Sequence, residues 1–403
     1  MNIVGVVAEY NPFHNGHFYQ LKKAKELTNS KYSVIVMSPN FVQRGGPAII
    51  DKWTRTRMAL SNGADLVIEL PTPYATASAE FFAQASVSLL DNCGIVSHIN
   101  FGSESNNIEL ITKISRILLD EPREFKDLLK YHLDQGLSFP AARAKALSIY
   151  GPEIEETIGS PNNILAIEYI KALIKLKSNI IPTTIERLGS DYHSTSIIDH
   201  MPSATAIRSN VEVNNWQDID KSMPNNCYKL LYENKDRLVS YKDLSDFLTY
   251  RLLFSSPNDL KEITGITEGM ENRIFNAFSN NNSIEEIVKD SKSKRFTQTS
   301  IQRMLLSIIL DIKKSDFEEF NSASGHHYIR VLGFKKSSAH LLGSLKRESK
   351  LPLVTNVAKD YNNLSPIGKK MLDLEILSSN LYFSLKNSKD SYNLDYTQPI
   401  IKI

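Results

Sequence analysis

Three short apolar runs near the amino terminus constrain the fold more than any other feature of the chain: NIVGVVA (2–8), SVIVMS (33–38) and DLVIEL (65–70). Each is continuous rather than alternating, the pattern of strands buried on both faces. Between the first two, Leu21, Ala24 and Leu27 recur at helical spacing over 16–27. Between the second and third, 52–61 is helical in pattern and ends at Asn62-Gly63, a helix-stop signal. SHINFGSE (97–104) continues the series as a fourth strand running into Gly102. Strands alternating with helices predict an α/β fold built on a doubly wound parallel sheet. In such sheets ligands sit beyond the carboxyl ends of the strands.

The remainder divides by texture. ITKISRILLD, FKDLLKYHL and ILAIEYIKALIKL predict helices within 105–180, and NIIPTTIERL (179–188) returns to strand character. A polar segment, SDYHSTSIIDHMPSATAIRSN (190–210), then leads into a helix at about Ala204. From about residue 225 to 320 helix follows helix, and 328–360 reads strand, helix, strand. A chain of 403 residues suggests two domains. We expect 1–225 to be the α/β domain, and 226–403 to be mostly α-helical with a small α/β element.

With 41% apolar and 23% charged residues the chain can bury a substantial core. A formal net charge of +2 excludes nothing about partners, but 291–350 holds 12 basic against 5 acidic residues. Cys93 and Cys227 form neither a disulfide framework nor a metal knuckle, so reduced thiols in a cytoplasmic protein are expected. No run of about 18 apolar residues predicts a membrane span.

The chemistry concentrates at EYNPFHNGH, where the first strand ends. His14 and His17 could be metal ligands, phosphate donors or plain loop histidines. The pair lacks the i, i+4 spacing and intervening Glu of a zinc helix, and no third ligand lies close by. Its position favours phosphate: a helix starts immediately after it, and helix N-termini attract anions. Gly16 allows close backbone approach, and imidazole N–H groups can donate to oxygens that gain charge during displacement. There is no Walker loop in the sequence. Further along, Ser203-Ala204-Thr205-Ala206-Ile207-Arg208 offers an N-cap hydroxyl at 203 or 205 and a guanidinium suited to phosphate.

Together the strand, Asn-Pro-Phe and His14-Asn15-Gly16-His17 resemble the H-x-G-H signature of the nucleotidylyltransferase superfamily. That superfamily includes class I aminoacyl-tRNA synthetases, pantothenate synthetase and phosphopantetheine adenylyltransferase. Ser203 to Arg208 is similar to its S-x-T-x-[IV]-R motif. More closely, EYNPFHNGH, NFVQRGGPAIIDKW (40–53), DLVIELP (65–71), FGSES (101–105), SPNNILAIEY (160–169) and ERLGSDYH (186–193) resemble the tRNA(Met) cytidine acetate ligase family. The likeness continues more weakly into RFTQTSIQRML (295–305) and YIRVLGF (328–334).

The resemblance implies a Rossmann-like sheet of the H-x-G-H nucleotidylyltransferase type. It implies that ATP and acetate give acetyl-adenylate, whose acetyl group passes to N4 of the wobble cytidine of elongator tRNA(Met). The ATP segment is then Val7, Ala8, Glu9, Tyr10, Asn11, Pro12, Phe13, His14, Asn15, Gly16, His17, Phe18, Tyr19 and Gln20, with His14 and His17 catalytic. Gly102, Asn162, Asn163, Arg187 and Leu188 match further nucleotide contacts, and Ser203, Thr205 and Arg208 complete the phosphate set. Pro39 and Gly46 depart from the family's loop pattern around Gln43-Arg44-Gly45. Mg²⁺ is expected to arrive on ATP, with no D-x-D cluster to name its protein ligands, and no resident metal site is expected. For tRNA, Lys292, Lys294, Arg295, Arg303, Arg330, Lys335 and Lys336 are the expected contacts, with Phe296, Tyr328 and Phe334 interleaved for base stacking. Solvated helix faces remain the alternative for that window. Two other functions fit the motifs less completely: a ligase or adenylyltransferase acting on a small cofactor precursor, and a tRNA-binding protein with an inactive nucleotide site.

Overall fold

The computed structural model describes residues 2–186, 203–293, 295–322, 327–386 and 391–403. The apolar runs form the strands expected of them: β1 (Ile3–Ala8), β2 (Tyr32–Met37), β5 (Leu66–Glu69) and β6 (His98–Ser103), while β7 is Ile181–Glu186. These five are parallel in the order β5-β2-β1-β6-β7, with Gly5 opposite Val34 on one side and Ile99 on the other. Chain order reverses between β1 and β6, the crevice where a doubly wound sheet binds its ligand.

Alternate side chains on each strand feed two separate apolar layers. Val4, Val6, Ile35, Met37 and Val67 pack with Leu21 and Ala24 of the Asn15–Leu27 helix and Met58 to Leu60 of the Lys52–Ser61 helix. Ile3, Val34, Val36, Leu66 and Ile68 pack on the opposite face with Leu89 and Leu90 of the Ala79–Asn92 helix and Ile170 and Leu173 of the Pro161–Leu176 helix. A fully buried aliphatic side chain contributes about 1.5–3 kcal/mol, so both faces must be covered for the sheet to persist.

Residues beyond 225 do not pack as a core of their own. Leu248, Ile274, Ile287, Ile301 and Leu305, from successive helices, join the same apolar layer as Val4 and Val6. The strand-helix-strand element after 328 is present as β8 (Ile329–Phe334), the His340–Glu348 helix and β9 (Leu353–Val354). Its strands extend the first sheet instead of making a second one. β8 runs antiparallel to β5, setting Phe334 against Leu66 and Arg330 against Glu69, and it pairs in parallel with β9 and with β10 (Ile401–Lys402). A short antiparallel hairpin, β3 (Phe41–Val42) and β4 (Gly46–Pro47), leaves the sheet after β2. Both cysteines are buried free thiols. Among the described residues no helix is long and apolar enough to cross a membrane.

Candidate active site

His14 is the N-cap of the Asn15–Leu27 helix, and its ring has a structural task as well as a chemical one. Its Nδ1 accepts from the Gly16 backbone N–H at 3.1 Å, while Nδ1 of His17 accepts from the His14 N–H at 3.3 Å. With both Nδ1 atoms accepting, each neutral ring carries its proton on Nε2. The two imidazoles stack at 3.8 Å between centroids. Gly16 is needed for this arrangement: a Cβ there would lie 2.9 Å from Cε1 of His14. Behind the pair, Tyr10 meets His17 edge-on at 4.9 Å and Phe13 lies 5.7 Å from it, both buried. Tyr10 adopts a left-handed backbone conformation (φ +47°), a strained state that surrounding structure must hold in place.

The turn after β1 is tied down on every side. Asn11 accepts from the Ile49 N–H at 2.7 Å through its side chain and from Nη1 of Arg208 at 2.8 Å through its carbonyl. Nη2 of Arg208 donates to Thr205 Oγ1 at 3.1 Å. Ser203 caps the Ala204–Glu212 helix by accepting from the Ala206 N–H at 3.1 Å. Two helix N-termini therefore open beside the stacked histidines, an arrangement that favours phosphate. Beneath them Arg55 is fully buried and donates to the carbonyls of Ile50 (2.9 Å), Glu9 (2.7 Å), Ser38 (2.9 Å) and Pro39. Burial pushes its guanidinium below the usual arginine value, with Tyr382 and Asp51 acting against that. No local pattern in the sequence singles out Arg55.

A cavity of about 240 Å³ sits over the ends of β1, β6 and β7. Of the expected ATP residues, Val7, Ala8, Glu9, Tyr10, Asn11, His14, Gly16, His17, Tyr19, Gln20, Gly102, Asn162, Ser203, Thr205 and Arg208 line it. Pro12, Phe13, Asn15, Phe18 and Asn163 do not. Phe13 is core, Phe18 faces outward at 45% exposure, and the Asn15 side chain donates to the Lys221 carbonyl at 3.0 Å. Asn163 is buried with its Oδ1 accepting from the N–H groups of Glu104 and Ser105, so it shapes the turn after β6. Glu104 in turn accepts from the Asn162 and Asn163 N–H groups at the start of their helix. Arg187 and Leu188 lie outside the described residues. The cavity also takes in Gln43, Arg44, Phe101, Leu165, Tyr169 and Glu186, which lie within the motif stretches but were not singled out as ATP contacts, and Phe82 and Ile185, which no motif marks. No three His, Cys, Asp or Glu side chains converge to hold a metal among the described residues.

The basic window separates into groups with different locations. Arg330 is not available to RNA: β8 lies between β5 and β10, and the buried guanidinium pairs with Glu69 (2.9 Å) and Asp395 (2.6 Å). Tyr328 and Phe334 are buried with it and cannot stack on bases. Lys335 and Lys336 follow the far end of β8, where the Lys335 N–H donates to the Asp65 carbonyl just before β5. Because β8 is antiparallel, that is the amino edge of the parallel sheet, opposite the cavity. Lys292 and Arg295 are exposed, Phe296 and Arg303 half-buried, and Lys294 outside the described residues. The backbone of Arg303 packs directly on Gly45 of the β3–β4 hairpin, whose Gln43 and Arg44 line the cavity.

A parallel sheet with its switch point at β1, and an H-x-G-H turn opening onto two helix N-termini, define a nucleotidyl transferase. Residues 1–396 match the family model described as HIGH Nucleotidyl Transferase. The chain is 42% identical to the tRNA(Met) cytidine acetate ligase of Thermoanaerobacter sp. (strain X514), with 100% of both chains covered, and 43% identical to that of Clostridium novyi (strain NT), with 99% of both covered. Among solved structures it superposes on Thermotoga maritima TmcAL in the apo form (TM-score 0.94, 35% identity, all of both chains). It also superposes on that protein bound with alpha-thio ATP (TM-score 0.92, 34% identity, 100% and 99% covered). The chain belongs to the tRNA(Met) cytidine acetate ligase family.

Proposed function

We propose that this protein uses ATP to activate acetate as acetyl-adenylate and transfers the acetyl group to N4 of the wobble cytidine of elongator tRNA(Met). The observation that carries the reading is the stacked His14–His17 pair, with its Nε2 protons set by backbone hydrogen bonds, in one cavity with Ser203, Thr205 and Arg208.

In the first step an acetate oxygen attacks the α-phosphorus, a P–O bond forms in line, and the bond to pyrophosphate breaks. Such displacements need positioning and charge stabilisation more than covalent help. The Nε2–H groups of His14 and His17 are suited to oxygens of the α-phosphate, and the paired helix starts to the rest of the triphosphate. Mg²⁺ would arrive on ATP and neutralise phosphate charge. In the second step the cytidine N4 attacks the acetyl carbonyl, AMP leaves with the C–O bond pair, and N4 loses a proton. An anticodon base can reach a cavity because loops in RNA splay their bases. The exposed Lys292 and Arg295 are the contacts this reading favours for the tRNA backbone, and the reaction belongs in the cytoplasm where tRNA is.

The test combines purified protein, ATP, labelled acetate and total tRNA, followed by nucleoside analysis. Label in N4-acetylcytidine from elongator tRNA(Met), with acetate-dependent pyrophosphate exchange when tRNA is omitted, is the expected result. Exchange driven by a pantoate-like acid or a mononucleotide instead of acetate would overturn it.

A further inference from the structure

A second cavity, of about 200 Å³, shares no lining residue with the one over β1, β6 and β7. It lies where the start of the Lys52–Ser61 helix meets the end of the Pro366–Ser384 helix and the stretch 234–239. We propose that this cavity binds a nucleoside monophosphate unit, its base against Trp53, Tyr382 and Phe383 and its phosphate at Arg57 and Arg237. None of these five residues belongs to the ATP site or to the expected tRNA contacts. The reaction proposed above supplies two sources of such a unit, the AMP released and a nucleotide of the tRNA, and only the choice between them rests on that reading.

Unspent positive charge is the first support. Arg57 and Arg237 are exposed, and among the described residues neither guanidinium has an ion-pair or hydrogen-bond partner. Lys386 also lines the cavity but pairs with Asp243 at 2.9 Å. Asp51, the acidic member of the lining, is committed to capping its helix. It accepts from the N–H groups of Trp53 (2.9 Å) and Thr54 (3.0 Å) and from Thr54 Oγ1 (2.8 Å). Two forked cations are therefore left over, and their geometry matches phosphate.

The wall supplies what a bare phosphate would not need. Trp53, Tyr382 and Phe383 are buried, and the last two rings meet edge-on at 5.6 Å between centroids. Aromatic side chains of this kind stack on any base, because every base has a π-face. The Trp53 indole N–H is buried with no acceptor among the described residues, a rare condition in folded proteins, and a base carries ring nitrogens and carbonyl oxygens that accept. The site is also held firmly. Tyr382 donates its hydroxyl to the Ala48 carbonyl at 2.8 Å, and the Val239 N–H donates to the Ile49 carbonyl at 2.9 Å. Ile49 in turn donates its N–H to Asn11 of the H-x-G-H turn, so the two cavities are neighbours across the segment 48–51.

The test uses the full chain in a Trp216→Phe background, which leaves Trp53 as the sole tryptophan. With the first cavity saturated by a non-hydrolysable ATP analogue, AMP, CMP and inorganic phosphate are titrated while Trp53 fluorescence is followed. AMP and CMP should quench saturably, and phosphate, with no face to stack, should bind at least about fivefold more weakly. Adding Arg57→Gln and Arg237→Gln together should weaken AMP at least about tenfold while ATP-analogue affinity stays within about threefold. Competition then names the source: displacement of AMP by elongator tRNA(Met) assigns the site to an RNA nucleotide, and no displacement assigns it to free AMP. Absence of quenching, quenching that survives in the double variant, or phosphate binding as tight as AMP would overturn the site. Acetate-dependent pyrophosphate exchange by the wild type tests the reaction and not this cavity, so failure of the one is distinguishable from failure of the other.

Discussion

Lys52 is the buried charge whose removal should be felt most. Its ammonium lies 2.6 Å from Glu69, 2.7 Å from Asp395 and 3.2 Å from Glu375, with both the lysine and its partners buried. Arg330 pairs with Glu69 and Asp395 from the other side. Two cations thus face three carboxylates. Burial, and then the Glu69 charge, raise Glu375 to about 7, so this carboxyl can take up the proton that balances the cluster. Burial works against ionisation of Asp395 too, but Lys52 and Arg330 overcome it and hold this carboxyl at about 2. Lys52→Met keeps most of the volume and leaves three carboxylates with one cation. Breaking a buried pair by deleting one partner costs about 3–5 kcal/mol, a large part of a typical total of about 5–15 kcal/mol. Denaturant unfolding followed by Trp53 fluorescence is the natural assay, because that indole lies 5.6 Å from both cations.

The pH dependence sharpens the argument. A carboxyl raised in the folded state contributes stability below its unfolded value, lost as pH rises through the folded one. For wild-type Glu375 that window runs from 4.5 to about 7. Asp395 acts in reverse: its contribution is present above 3.8 and lost as pH falls toward about 2. In Lys52→Met the carboxylates lose their shared cation and rise, so the variant's deficit should be largest above neutrality and shrink at pH 5.5. A deficit under about 1 kcal/mol at pH 7.5, well below the buried-pair range, would refute the reasoning. So would one that grows on acidification to 5.5.

Other expectations follow from the same geometry. His17→Ala removes one aimed donor and should cost about 3–4 kcal/mol of transition-state stabilisation in acetate-dependent pyrophosphate exchange, and, because the ring also accepts the His14 N–H and packs on Tyr10, it should lower the melting temperature as well. Arg55→Met leaves several buried carbonyls unsatisfied at about 1–3 kcal/mol each, so it should lower the denaturation midpoint strongly as well as slow exchange. Gly45→Ala meets a left-handed conformation and the Arg303 backbone, whereas Gly63→Ala meets only its own φ of +116° in open space. Thermal melts should therefore rank Gly45→Ala the more damaging. Reversing Lys292 and Arg295 to Glu should weaken tRNA binding and flatten the log–log salt dependence by about two units. The same change at Lys335 and Lys336 should leave tRNA affinity unaltered in a filter-binding titration.

What could be read from the sequence was whatever is encoded by neighbours along the chain. The strands at 3–8, 32–37 and 66–69 were legible because burial on both faces demands consecutive apolar residues, and the helix at 15–27 because one face repeats within a few positions. His14, Gly16 and His17 were legible because a strand end, a tight turn and a helix start must follow one another in the chain to make an anion site. Even so, the task of Gly16 differs from the one expected: it makes room for the His14 ring. What stayed hidden depends on pairing across long separations. Glu69 and Arg330 are 261 positions apart. Nothing in YIRVLGF says that its strand will enter an existing sheet antiparallel, and that single fact turns Arg330 from an RNA contact into a buried counter-ion. The same geometry carries Lys335 and Lys336 to the edge away from the cavity while the Arg303 backbone settles on the β3–β4 hairpin. A run of positive charge in one dimension is therefore divided by one strand reversal, which buries Arg330 and carries Lys335 and Lys336 to the amino edge of the sheet, while Arg303 sits against the hairpin whose Arg44 lines the cavity.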